Sequence, residues 1–220
     1  MAKDWFRKTK WDAENEADFF ARLAKAKPLN RAQYLGIQAI TLIELKPEIG
    51  ARLADLALND YPRDVQRARW LSCRAKCAIQ LKNIDEALNF FELAIQEGRN
   101  SPNMDVGAPA DFAFLVAEND LHERYDDALR VLEEFPNQNA FPLAKFRFDA
   151  SRALILSALG RGDEARNAAR NALEAAAQGQ TALRYHRAIG LVGNTFSQIR
   201  RRLKKIADDA SWIGPATRIH

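Results

Sequence analysis

The 220-residue chain is sparing in the side chains that carry acid–base, nucleophilic or metal chemistry. Its three histidines, His122, His186 and His220, are scattered. Neither His122 nor His186 has a nucleophile or carboxylate at an offset that a catalytic set uses. Cys73 and Cys77, the only cysteines, are four apart. On a helix they would share a face with their sulfurs out of disulfide reach, and two thiols without a nearby histidine are too few for zinc. They read as small buried hydrophobes compatible with a reducing compartment. No phosphate-cradling glycine loop, GxGxxG or HExxH appears. Arg161-Gly162-Asp163 spells an adhesion tripeptide but falls in the turn before a helical run. The reading is of a non-catalytic chain without metal or cofactor.

Charge points to binding instead. The net charge of +4 hides an asymmetry: from Arg184 to His220 eight Lys/Arg face two acids, and the remainder is slightly acidic. The sharpest run holds Arg200, Arg201, Arg202, Lys204 and Lys205. On a helix, Phe196, Ile199, Leu203 and Ile206 form an apolar stripe and the cations point mostly the other way. The pattern suits the solvated face of a capping helix, a surface for nucleic-acid phosphates or an acidic protein, or a basic amphipathic helix that touches a membrane or a partner groove. At the other end, Trp5, Phe6 and Trp11 sit among cations, either as an aromatic arm folded onto the first helices or as a docking segment for another copy. This end has no apolar core of a signal peptide, and no apolar run reaches the length of a membrane span, so a cytoplasmic protein is expected.

These residues must be positioned by helices. Ala, Leu, Arg, Glu and Lys are plentiful while Val and Thr are sparse, a balance that favours helix. Caps, breakers and apolar spacing predict helices over 13–26, 31–45, 48–59, 63–81, 85–97, 109–121, 126–135, 142–159, 163–177, 182–192 and 195–210. The longest loop signal is Gly98–Pro109. No segment alternates with the period of a half-buried strand.

Asp-Glu-Ala occurs at Asp85 and again at Asp163, each time after a polar turn and before a helical run. Two acids in a first helical turn favour the helix dipole, so the motif marks a helix start. Aligning successive hairpins on Gly50, Ala87, Ala128 and Ala165 gives intervals of 37, 41 and 37 residues. Such a period predicts stacked helical hairpins, none able to hide its apolar face alone. Small residues at the alignment points let helices approach closely.

The pattern resembles the tetratricopeptide repeat (TPR) family. The unit around Ala87 carries Trp70, Leu71, Leu81, Ile84, Ala87, Phe91 and Ala94. The next has Phe112, Leu115, Tyr125, Ala128 and Leu132, with Phe135 in place of the second small residue. The last has Ala153, Leu156, Leu159, Gly160, Ala165, Ala169 and Ala172, and the first Tyr34, Ile37, Gly50, Ala57 and Pro62. The resemblance implies an all-α, right-handed solenoid of about four TPR-like hairpins over residues 30–178. An aromatic arm and capping helix (1–29) would precede it, and basic capping helices and tail (179–220) would follow.

That family holds a peptide or partner segment on a concave face lined by the first helix of each hairpin. Here the corresponding stripes carry Arg69, Ser72, Lys76 and Ile79; Ala113, Ala117 and Asp120; and Arg147, Ala150, Leu154 and Ser157. Arg69, Lys76 and Arg147 would pair with acidic groups of the guest. The Lys/Asn/Arg clamp for a chaperone's C-terminal carboxylate is not reproduced. A protein-binding scaffold is expected: an adaptor, an assembly factor or an immunity-type antagonist. Nucleic-acid binding through the basic helix is the alternative, and self-association through the arm a further expectation.

Overall fold

The structure is a computed structural model describing residues 4–100, 107–136, 141–181 and 190–209. Every regular element among these residues is helical. In order they are α1 (Ala13–Lys25), α2 (Pro28–Leu42), α3 (Pro47–Asp60), α4 (Arg67–Gln80), α5 (Ile84–Asn100), α6 (Ala108–Glu118), a 3-10 turn (His122–Arg124), α7 (Tyr125–Glu134), α8 (Pro142–Ala158), α9 (Gly162–Ala177) and α10 (Ser197–Asp208). Two compact units divide the chain, residues 1–108 and 109–220. The boundary falls in the first turn of α6, whereas the expected segments end at 29 and 178. The arm belongs with α1 and α2, and α10 belongs with α8 and α9.

Local chemistry explains the helix ends. Asp12 caps α1, its Oδ1 accepting from the Asn15 backbone N–H at 2.9 Å. That bond, with help from Lys10, holds the Asp12 carboxyl far below the usual carboxylate range. α2 opens on Pro28 itself, not after Asn30, because proline is preset for the first helical turn. α4 starts at Arg67 rather than Arg63. Asp64 is engaged in the preceding turn, accepting from the Gln66 N–H at 2.8 Å and from the Trp70 indole at 3.1 Å. α5 runs through Gly98 to Asn100. The expected helix over 182–192 lies outside the described residues except for Gly190–Val192, which are not helical, and residues 101–106 of the Gly98–Pro109 loop also lie outside them.

The repeat is visible in the turns. After α4 the chain folds back with Leu81 N–H donating to the Cys77 carbonyl, Lys82 to Ile79 and Asn83 to Ala78. After α8 the same three bonds recur 78 residues on, Leu159 to Ile155, Gly160 to Ser157 and Arg161 to Leu156. The pivot is left-handed in both, φ 60° at Lys82 and 74° at Gly160, and Asp120 after α6 repeats it at 51°. This is the Schellman type of helix ending, which satisfies the last carbonyls of one helix and aims the chain into the next. Glycine stands at only one of the three pivots, so the sequence hides a turn that the backbone repeats.

Packing follows the hairpin order. α2 lies against α3, α3 against α4 and α4 against α5 in the first unit; α8 against α9, and α10 against both, in the second. Gly50, Ala87, Ala128 and Ala165 are all buried. At Gly50 the reason is explicit: a Cβ there would stand 3.0 Å from Cys77 Sγ and 3.2 Å from the Ala39 carbonyl. The first core is built on Phe19, Leu35, Leu53, Trp70 and Phe91, the second on Phe112, Leu132, Phe146, Ile155 and Leu156.

Candidate partner-binding surface

The aromatic arm is folded onto its own unit. Trp5 and Phe6 lie 4.9 and 4.8 Å from the Tyr34 ring, centre to centre, and Trp11 is 5.4 Å from Phe19. Gln38, wholly buried, donates to the Lys8 carbonyl at 2.7 Å and accepts from the Lys8 N–H at 2.8 Å. A single side chain thereby satisfies both polar groups of an arm peptide, as a neighbouring strand would. Lys8 Nζ reaches Asp18 at 2.7 Å. Self-association through the arm would have to displace these contacts.

In the first unit, α2 and α4 each leave a side chain exposed, Ile40 on one and Arg69 on the other. Ala32, Leu35, Gly36, Ala39 and Leu42 of α2 are buried, and Ile37, Ile40 and Glu44 lie on the opposite side, with Ile40 36% exposed. Trp70 of α4 is pressed onto Gly36. On α4, Arg69 is exposed and Lys76 and Ile79 are half-buried. Arg69 holds Gln66 Oε1 at 3.3 Å and lies 5.8 Å from the Trp70 ring centre. Ser72 departs from the expected stripe. It is 3% exposed, and its hydroxyl has no hydrogen-bond partner.

The two thiols of α4 are buried and hydrogen-bonded to each other. Cys73 holds its proton well above the ordinary thiol range through that bond, and Cys77, the acceptor, is lowered by it. Arg74, next to Cys73 on α4, is 13% exposed and bound to Asp55 and Glu86.

In the second unit the expected face is already occupied. Arg147 of α8 pairs with Asp111 of α6 at 2.5 Å and lies 5.8 Å from the rings of both Phe114 and Phe196. Phe196, at the start of α10, packs on Phe114 and Phe146 at 5.5 and 5.2 Å. Further along α10, Ile199 and Leu203 are buried and Arg202 pairs with Asp120 at 2.7 Å. Both charges expected to meet a guest here, Asp120 and Arg147, are thus engaged within the unit. Of the basic run, Arg200 donates to the Gly193 carbonyl, and Arg201, Lys204 and Lys205 are exposed.

Asp149 gave no signal in the sequence. It faces inward on α8, 7% exposed. Burial pushes its pKa up to about 6, opposed by Lys145 and Arg152 and assisted by Glu174 of α9. A folded-state pKa above the unfolded one favours folding while the group is protonated, and that contribution is lost as pH rises through about 6. Asp149→Asn is therefore expected to leave stability near pH 4 almost unchanged and to raise it by about 1–2 kcal/mol at pH 7.5. Urea unfolding of both proteins across pH 4–8 measures this, and parallel pH profiles would refute it.

Among the described residues no cluster of three His, Cys, Asp or Glu is placed to hold a metal ion, and no helix is long and apolar enough to cross a membrane. His122 is exposed, its ring edge-on to Tyr125; His186, His220 and Trp212 lie outside the described residues. Comparison with protein-family models, curated proteins and solved structures found no match to this chain.

Proposed function

We propose that the chain is a non-catalytic scaffold that binds a protein or peptide segment, built on the TPR-like right-handed solenoid its spacing implies. The carrying observation is what α2 and α4 expose in the first unit. Apolar Ile40 and the cation Arg69 are exposed there, with Ile37, Lys76 and Ile79 half-buried on the same two helices. Mixed apolar and cationic lining suits a short amphipathic segment with acidic side chains. The apolar residues desolvate, and arginine offers a planar fork to carboxylates.

The test is selection of peptides from a random library on the purified chain, followed by titration of the winners. The expected winners carry acidic and apolar residues and bind with micromolar affinity. Ile40→Asp/Arg69→Glu is expected to weaken them at least tenfold while leaving the melting temperature within a few degrees. Winners that bind this variant equally well would refute the assignment.

Nucleic-acid binding through α10 is the second reading, supported by Arg201, Lys204 and Lys205 at i, i+3 and i+4. With Arg202 and Arg200 bound within the unit, three exposed cations make a small footprint for phosphate binding.

A further inference from the structure

We propose that α10 is a lid held in cis on a helix-receiving face of the second unit. That face takes from a partner an amphipathic helix of the same design: an aromatic residue, aliphatics three and seven positions on, and an arginine at the sixth. The occupant seen in the structure defines the recognition. Phe196 fills the space between Phe114 and Phe146, Ile199 and Leu203 are buried one and two turns later, and Arg202 meets Asp120. A helix laid in a groove is read by such anchors at helical spacing.

Three observations make α10 a lid rather than a core helix. First, it buries little of itself. Of its twelve residues only Ile199 and Leu203 are buried, against ten of the seventeen in α8. Arg147 Nε beneath it and Arg200 Nε on it are buried with no hydrogen-bond partner. Unmet donors of this kind penalise the closed form, and a partner that satisfied them would compete with advantage. Second, its polar pins are at the rim: the Arg202–Asp120 pair, and Arg166 donating to the Asp209 carbonyl at 3.0 Å, are solvent-exposed contacts of little net worth. Third, the chain enters α10 through Gly193, left-handed at φ 61°, three residues after Gly190, which packs on Phe141 and accepts from the Leu143 N–H at 2.8 Å. Nothing crowds Gly193 within 4 Å of where a Cβ would be, so rotation there meets no packing. This inference does not depend on the face of the first unit.

The test uses the full chain and a fluorescent peptide of residues 195–209. Phe196→Ala/Leu203→Asp should release the lid, and anisotropy should then show the peptide binding at least tenfold more tightly than to the wild type. A receptor open a tenth of the time or less shows affinity reduced in proportion. A peptide carrying the same two substitutions should bind neither protein. In wild-type hydrogen exchange, α10 should open at least tenfold more readily than α8 and α9. The proposal is overturned by equal peptide affinity for both proteins, by α10 amides as protected as those of α8 and α9, or by a released variant losing helix well beyond twelve residues. It also falls if the wild type doubles in mass by exchanging α10 between copies and the released variant takes up no peptide.

Discussion

Gly36→Ala is expected to destabilise the chain by about 3 kcal/mol or more, through one added methyl group. On an exposed helix the same change would be favourable, since alanine has the higher helix propensity. Here the new Cβ would fall on the six-membered ring of Trp70. The indole has nowhere to retreat. It is fully buried, and its N–H is held by Asp64 at 3.1 Å. Close-packed interiors resist even one extra carbon, so α2 and α4 must separate or the ring must leave its rotamer. Chemical denaturation of Gly36→Ala, Trp70→Leu and the double variant tests the cause. The second alanine-sized group should be tolerated once the ring is gone, making the double variant clearly more stable than the sum of the single losses. Strict additivity would show that the overlap is not the reason. Loss of this crossing should also weaken peptide binding by the first unit, because the spacing of α2 and α4, which carry Ile40 and Arg69, would change.

Arg74→Ala is the second large effect, about 2–3 kcal/mol. The side chain is 13% exposed. Its Nε lies 3.1 Å from Asp55 Oδ1 on α3, its Nη2 2.7 Å from Glu86 Oε1 on α5, and its guanidinium stacks 4.8 Å from the Phe90 ring centre. One residue of α4 therefore ties three helices. Removing it leaves two carboxylates together in a partly dry site. Burial already raises the Asp55 pKa even with Arg74 present, and without the cation it should climb further. Sign follows: the variant should be least impaired at low pH, where Asp55 is neutral, and progressively worse as pH rises. Because both acids are partly solvated, the cost is set below that of a fully buried pair. Arg74→Lys should recover only part of it, since an ammonium cannot span Asp55 and Glu86 as a planar fork does. A loss under about 0.5 kcal/mol for Arg74→Ala at pH 7 would show the network to be ornamental.

Both predictions concern residues that sequence reading passed over. Neither Gly36 nor Arg74 belongs to any motif or stripe that the spacing picks out. Gln38 is another case: its burial depends on an arm thirty residues earlier arriving alongside. Asp149 is a fourth, a carboxylate whose raised pKa arises only because α8 turns it inward. Each owes its role to what another element places beside it, and periodicity within one helix carries no record of that.

What the sequence by itself determined is local. Helix propensity, caps, breakers and apolar spacing set the helical order among the described residues, and the small residues at Gly50, Ala87, Ala128 and Ala165 are buried as the spacing implied. These follow from neighbours within about four positions, the range over which a helix bonds and packs on itself. The tertiary structure decided which polar groups remain available. It committed Arg147 to Asp111 and Asp120 to Arg202, turned Ser72 inward, laid the arm on Gln38, and left Ile40 and Arg69 in solvent. An ion pair between residues 82 positions apart depends on where the intervening turns deliver its members, and their left-handed pivots at Lys82 and Asp120 carry no glycine to announce them.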